Sequence, residues 1–124
     1  MKRLLAVALA ATLVGGCKGQ EIDCPLILSP GVAVEVRDAF SGAPIASGAK
    51  LVAQAGSYAD SMSFPAGQPE LDNSHLTGAY QPGVYTLTVT KTGYQPWVKT
   101  NVIVTAAQCG VNLTSLTATL HAAP

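Results

Sequence analysis

Charged, aromatic and histidine side chains are all scarce in this chain of 124 residues. Only 11% of the residues are charged, 6% are aromatic and two, His75 and His121, are histidines. After residue 16 the basic residues stand singly, so the chain has no basic patch of the kind that holds nucleic acid. Neither histidine has neighbours at metal-ligand spacing, so neither a metal site nor a cofactor is expected.

Long hydrophobic runs are also rare, because the only one lies near the amino terminus. Lys2 and Arg3 precede an apolar run over residues 4–14, and Gly15 and Gly16 follow it. This order is typical of a secretory signal, and the run is shorter than the roughly 20 apolar residues of a membrane-spanning helix. Residues 1–16 are therefore predicted to be a cleaved signal peptide. The alternative is a cytosolic protein with an apolar amino-terminal helix.

The chain has only three cysteines, and the first follows this apolar run directly. Val14-Gly15-Gly16-Cys17 resembles the lipobox of bacterial lipoproteins. The resemblance implies that Cys17 becomes the first mature residue and carries acyl chains, with residues 17–23 as a lipidated tether. Each buried methylene contributes about 0.8 kcal/mol to membrane binding, so several chains anchor a protein durably. The alternative is that Cys17 is an ordinary thiol that pairs with another cysteine.

The two remaining cysteines are far apart in the sequence. An exported protein tends to pair its cysteines, so a disulfide between Cys24 and Cys109 is predicted. Such a bridge would close a loop of about 84 residues and stabilise the fold by about 4 kcal/mol on chain-entropy estimates. The alternative is a pair of free, buried thiols.

Seven segments of the mature chain read as β-strands. Apolar and polar residues alternate in them, which is the period of a strand with one buried face. The segments are 32–38, 49–55, 58–64, 74–80, 84–91, 97–105 and 109–120. Residues 65–73 are expected to form an exposed loop, since they hold two prolines and a glycine. Turn signals at regular spacing indicate an all-β sandwich or barrel, and the hairpin segments do not suggest parallel crossovers.

Two of the later segments also predict which side chains share a buried face. In residues 97–105 we expect Val98, Val102 and Val104 to lie in register on one face. In the last segment we expect Leu113 to follow Val111 among the apolar positions that close the domain.

Several motifs together resemble the carboxypeptidase regulatory-like domain. They are VEVRDAFSGAPI over residues 34–45, Gly78-x-Tyr80, PGVYTLTV over residues 82–89, and Gly93-Tyr94. The resemblance covers nearly all of residues 31–121. It implies a transthyretin-like, Greek-key β-sandwich of about seven strands in residues 24–124, and it implies no catalysis by the module. Independently of the resemblance, Tyr85 is expected to bury its ring while its hydroxyl finds a partner.

No group of residues in the chain indicates an enzyme. Asp72, His75 and a serine could be imagined as a triad, but no nucleophile-elbow context accompanies them. Ser47 and Lys50 fit the S-x-x-K acylation motif, yet they straddle a turn into a strand, so the match is interpreted as chance. A possible binding surface for a sugar or peptide is His75 with Tyr94 and Trp97; packing in the core and turns is the alternative role of the two aromatics.

The sequence thus favours a non-enzymatic lipoprotein without cofactors. Its predicted partners are the membrane, through the lipid anchor, and an envelope protein or a glycan. A structural or protein-interaction module is the leading function, a carbohydrate- or peptidoglycan-binding module is the second, and a hydrolase is remote. The residue after the anchor is Lys18, and the absence of aspartate there predicts the periplasmic face of the outer membrane if the source is Gram-negative.

Overall fold

The computed structural model describes residue 24, residues 28–67 and residues 75–124. The regular elements of these residues are all strands, and none is a helix. In chain order they are β1 (Val32–Asp38), β2 (Lys50–Ala55), β3 (Tyr58–Ser63), β4 (His75–Gly78), β5 (Gly83–Thr90), β6 (Trp97–Val104), β7 (Ala106–Ala107), β8 (Gly110–Val111) and β9 (Thr114–Leu120). The predicted signal peptide, Cys17, the tether and most of the 65–73 loop lie outside the described residues.

The seven longer strands form two sheets. One sheet has the order β4-β1-β9 and the other has the order β3-β2-β5-β6, while β7 and β8 pair only with each other. The chain crosses between the two sheets four times: after β1, after β3, after β4, and between β6 and β9. These crossings place strands that are distant in sequence side by side. The protein is therefore the all-β, Greek-key β-sandwich that the sequence predicts.

The core lies between the two sheets and consists of the alternate side chains of the long strands. Each strand buries one face because its side chains point to opposite sides in turn. The most deeply buried large side chains are Tyr85, Leu51, Leu76, Leu87, Leu120, Val32, Val34, Val36 and Val89. No buried side chain among the described residues is polar or charged, apart from the hydroxyl of Tyr85. Full burial of a side chain of this size stabilises a fold by about 1.5–3 kcal/mol.

The first and last long strands pair in parallel, which the hairpin-like sequence did not suggest. Val32 of β1 lies opposite Thr114, and Asp38 lies opposite Leu120. A parallel pair needs a long connection, and here the whole second sheet supplies it because the chain enters and leaves that sheet between β1 and β9. The expectation from local hairpins was wrong for this pair.

β6 contains a β-bulge. Because of this bulge, the prediction that its three valines share one face was wrong. Tyr85 lies opposite Val102, but Leu87 lies opposite Lys99, so β6 holds one extra residue between these pairs. Asn101 occupies the bulge with a φ of 59°. An extra residue moves the following side chains to the opposite face of the strand. Val102 is consequently buried, whereas Val98 lies on the opposite face of β6 and is 56% exposed.

The predicted last strand is interrupted. Cys109 lies in the tight turn between β7 and β8, where Gly110 has a φ of 106°. The Asn112 amide then donates to the Thr105 carbonyl at 3.0 Å and closes this small hairpin before β9 begins. Val111 is buried as expected, but Leu113 lies on the connection and is exposed, so its predicted burial was wrong.

Strand pairing defines two opposite ends of the sandwich. We call one the disulfide end; it is the end where β1 and β9 begin, and its segments are residues 28–31, 55–58, 79–84 and 103–114 with Cys24. We call the other the loop end; its segments are residues 39–49, 64–67, 91–96 and 121–124. Strands of seven or eight residues separate the ends by about 20–25 Å.

Candidate functional site

A disulfide joins Cys24 to Cys109 across 85 positions of sequence. Their Cα atoms lie 5.3 Å apart, within the usual range for such a bond. Cys109 lies in the turn of the β7–β8 hairpin, so the bond attaches Cys24, which precedes the sandwich, to this short hairpin. The predicted pairing of these two cysteines is confirmed.

An apolar hollow of about 220 Å³ lies beside this bond. Its walls are Cys24, Leu28, Ser29, Tyr80, Gln108, Cys109 and Gly110. None of these side chains is charged, and the hollow is shallow. These seven residues include no histidine, lysine or carboxylate, and most of the surface that they expose to the hollow is apolar, so its chemistry suits apolar contact.

A hydrogen-bonded cluster around Asp38 organises the loop end. One carboxylate oxygen, Oδ1, accepts hydrogen bonds from the amides of Phe40 (2.7 Å) and Ser41 (2.8 Å). The other, Oδ2, accepts one from the Tyr94 hydroxyl at 2.6 Å. The Asp38 side chain therefore stabilises the turn that follows β1. It also joins β1 to the connection between β5 and β6.

The same hydrogen bonds shift two pKa values in opposite directions. Donation from the Tyr94 hydroxyl and from the amides of Ser41 and Phe40 lowers the pKa of Asp38 from 3.8 to about 2. The hydrogen bond to the carboxylate raises the pKa of the Tyr94 hydroxyl above its ordinary value of 10.0, because it favours the protonated phenol. Both groups are thus held in the protonation states that keep the cluster intact at neutral pH.

The three residues predicted as a possible binding surface lie in three different segments: His75 in β4, Tyr94 between β5 and β6, and Trp97 in β6. Tyr94 and Trp97 are partly buried and pack against the core, and Tyr94 is also engaged with Asp38. His75 begins β4 in the other sheet, opposite Glu35. Each residue has a place in its own element, so packing explains the two aromatics better than stacking on a ligand does.

Tyr85 performs the structural role expected of it. Its ring is buried in the core and meets the ring of Tyr58 edge-on, with centroids 6.0 Å apart. Its hydroxyl donates to the Gln81 carbonyl at 2.8 Å, four residues earlier, and so holds the turn that leads into β5. Desolvation by burial, and to a lesser degree the neighbouring Tyr58, raises the pKa of Tyr85.

Ser47, the serine of the S-x-x-K match, has hydrogen-bond partners in the neighbouring loop. The Ser47 hydroxyl donates to the Pro65 carbonyl at 3.4 Å and accepts from the Gly67 amide at 3.1 Å. Lys91 donates to the Ser47 carbonyl. The serine thereby holds two loops of the loop end together, and Lys50 begins β2.

The described part of the chain lacks two features that would indicate other functions. Residues 24, 28–67 and 75–124 contain no cluster of three or more histidine, cysteine or acidic side chains able to hold a metal ion. In the same residues no helix has the length and apolar character needed to cross a membrane. Asp72, the acid of the imagined triad, lies outside these residues.

Comparison with known proteins leaves the resemblance as a prediction. No protein-family model matches the chain, and no curated protein is significantly similar to it. Functional inference therefore depends on the residues and geometry described above.

Sequence reasoning missed two polar contacts that position the ends of the sandwich. Asp60 accepts a hydrogen bond at 2.9 Å from the amide of Ala79, a residue with a φ of 63°. Asp38 was part of the resemblance, but its bond to Tyr94 spans 56 positions. The Asp38-x-Phe40-Ser41 stretch could have indicated a side-chain-capped turn, whereas no local signal identifies the acceptor of the Ala79 amide.

Proposed function

We propose that this chain is a non-enzymatic lipoprotein of the cell envelope. In this proposal acyl chains on Cys17 anchor it, and its β-sandwich acts as a structural or protein-interaction module. One observation carries the proposal: the disulfide uses Cys24 and Cys109 and leaves Cys17, the lipobox cysteine, without a partner among the cysteines. A disulfide of this kind also fits an oxidising compartment outside the cytoplasm.

The roles of the motif residues support the carboxypeptidase regulatory-like resemblance within this proposal. Gly42 and Gly93 have φ values of 76° and 90°, which the turns beside β1 and before Tyr94 require. Asp38 and Tyr94 bond to each other, and Tyr85 fills the core. The quoted motif thus consists of residues that build the sandwich, which favours a scaffold or interaction role over catalysis.

The carbohydrate-binding alternative has less support. Stacking on a sugar needs the exposed face of an aromatic ring, and Tyr94 and Trp97 both pack against the core. Lys18 after the proposed anchor favours the periplasmic face of the outer membrane in a Gram-negative source, where the module would hold or space envelope partners.

Intact-mass spectrometry of the protein expressed in a Gram-negative host tests the anchor. The expected product lacks residues 1–16 and carries the added mass of acyl chains, and Cys17→Ser loses that added mass. Reduction of delipidated protein with an added thiol reductant should add the mass of two hydrogen atoms, as the Cys24–Cys109 bond is converted to two thiols. A product that retains residues 1–16 and carries no acyl chains would overturn the proposal.

A further inference from the structure

Exposed apolar side chains are concentrated at the disulfide end. Among the described residues, six large hydrophobic side chains are exposed, and four of them lie at this end. The four are Leu28 at 75%, Val84 at 57%, Ile103 at 61% and Leu113 at 58% exposure. Val84 and Ile103 lie opposite each other on neighbouring strands, so they form one continuous patch on the outer face of the four-stranded sheet. The other two, Phe40 and Val98, lie towards the loop end.

The charged side chains are distributed in the opposite way to the exposed apolar ones. The segments that form the disulfide end contain no charged side chain, whereas the described charged residues occupy the middle of the sandwich and the loop end. Asp60 in β3 lies two residues from segment 55–58, and its carboxylate accepts a hydrogen bond from the Ala79 amide. A surface without charge loses little hydration energy when it enters the interface of a bilayer.

The proposed anchor lies within a short reach of this same end. Six residues separate Cys17 from Cys24, so even a fully extended tether spans only about 25 Å. The disulfide fixes Cys24 to the β7–β8 hairpin, next to the exposed Leu113. An acylated Cys17 would therefore hold the uncharged, apolar end near the lipid and direct the loop end away from it.

We propose that the disulfide end is a lipid-facing surface that lies in the phospholipid interface with Leu28, Leu113 and the Val84–Ile103 patch in contact with the membrane. This inference rests on the proposed lipid anchor and adds a fixed orientation to it. The loop end, with Phe40 at the tip of its first turn, then faces envelope partners.

Chemical tethering makes the test independent of acylation in the cell. All buried core residues lie at or after Val32, so a chain that begins at Cys17 keeps the whole core. Its Cys17 is the one cysteine outside the disulfide and can be coupled to maleimide phospholipid in vesicles of zwitterionic phosphatidylcholine. These vesicles carry no net charge, so contact depends on apolar side chains.

Tryptophan fluorescence with brominated phosphatidylcholine then reports orientation. Leu113→Trp is compared with Val98→Trp, both in a Trp97→Phe background, since the two positions are almost equally exposed but lie towards opposite ends. We expect at least threefold stronger quenching and a blue-shifted emission for Leu113→Trp. Leu28→Trp provides a second probe at the disulfide end, and native Trp97 in the unsubstituted chain should stay unquenched.

Equal quenching of the two substituted positions, or quenching of native Trp97, would overturn the proposed orientation. Dimerisation of the untethered chain that Leu113→Asp abolishes would also overturn it, because the apolar end would then bind a second copy. Intact mass of the cellular product separately decides the lipid anchor, so failure of the anchor and failure of the orientation are distinguishable.

Discussion

Asp38 and Tyr94 form the most informative pair of side chains in the molecule. The hydroxyl and the carboxylate are 2.6 Å apart, and the bond connects the end of β1 with the connection between β5 and β6. A charge-assisted bond of this kind is stronger than a neutral one, but it requires an ionised acid and a protonated phenol. The stability of the loop end should therefore depend on pH at both extremes.

Replacement of Tyr94 by phenylalanine tests this dependence. The pKa of Asp38 should rise from about 2 towards its ordinary 3.8, since the largest cause of its lowering is removed. A lowered folded-state pKa contributes stability that is present above about pH 4 and is lost as the pH falls towards 2. The unsubstituted protein should therefore lose stability more steeply between pH 4 and 2 than Tyr94→Phe.

Carboxyl NMR titration and urea unfolding across this pH range measure both effects. Tyr80→Phe makes the same chemical change at the disulfide end and should leave the pKa of Asp38 unchanged. The raised pKa of Tyr94 contributes stability below about pH 10 that is lost as the pH rises through the raised value, and Tyr94→Phe should lack this loss as well. An unaltered Asp38 titration in Tyr94→Phe would contradict the assignment.

Gly31 is needed because its neighbours leave no room for a side chain, and not because of its backbone conformation. A Cβ at this position would lie 2.5 Å from both the Ala79 carbonyl oxygen and the Val104 Cγ1 atom. We expect Gly31→Ala to lower the free energy of unfolding by about 2 kcal/mol or more, because Ala79 and Val104 would have to move away from residue 31. Gly83→Ala, whose nearest contact would be the Ala55 methyl at 3.3 Å, should cost much less. Equal losses in urea unfolding would show that close approach is not the reason for Gly31.

Among the elements, β6 departs most from the pattern of its sequence. Its bulge places Asn101 at a φ of 59°, a conformation that asparagine tolerates and β-branched residues avoid. We expect Asn101→Val to lower the free energy of unfolding by about 1–2 kcal/mol. Thr100→Val, an exposed neighbour on the same strand, should stay within about 0.5 kcal/mol of the original protein. Similar losses for both variants in urea unfolding would show that the bulge does not constrain residue 101.

The long strands could be predicted from the sequence because their cause is local. A strand with one buried face alternates with a period of two, and β1 begins and ends at the predicted residues. The bulge in β6 and the parallel pairing of β1 with β9 depend on partners distant in the sequence, so alternation alone could not indicate them. Leu113 illustrates the same limit. Its exposure depends on the β7–β8 hairpin that precedes it, and the alternation of residues 109–120 does not indicate this hairpin.

The candidate site could be predicted from the sequence only in part, for the same reason. Pairing of Cys24 with Cys109 followed from cysteine count and compartment, which need no geometry. The aromatics Tyr94 and Trp97 were open to two interpretations, because composition does not distinguish a ring on the surface from one against the core. The unequal distribution of apolar and charged side chains between the two ends could not be predicted, because it depends on the strand register of both sheets.

At the scale of the whole molecule, the two ends of the sandwich differ because, among the described residues, only one of them has a covalent cross-link. Hydrogen bonds close the loop end, where Tyr94 bonds to Asp38 and the Gln95 amide donates to the His121 carbonyl. The disulfide end also has hydrogen bonds, such as the one from the Asn112 amide to the Thr105 carbonyl, and in addition it has the covalent bond. The permanent cross-link therefore lies at the end proposed to meet the membrane.

Loss of the covalent bond should weaken the whole fold. The double variant Cys24→Ser/Cys109→Ser should lower the free energy of unfolding by about 2–5 kcal/mol, mainly because the unfolded chain regains the entropy of a long loop. The dependence of that free energy on urea should also steepen, since an unfolded chain without the cross-link exposes more surface. Both quantities come from one urea titration at neutral pH.

Cys17→Ser is the matched control for this double variant, because it removes a cysteine outside the disulfide and should leave the unfolding curve in place. It also serves as the background for the double variant, so that no new disulfide can form. A double variant that unfolds at the same urea concentration and with the same slope would mean that no bond between Cys24 and Cys109 constrains the unfolded chain in solution. The fixed link between the anchor and the sandwich would then have to be abandoned.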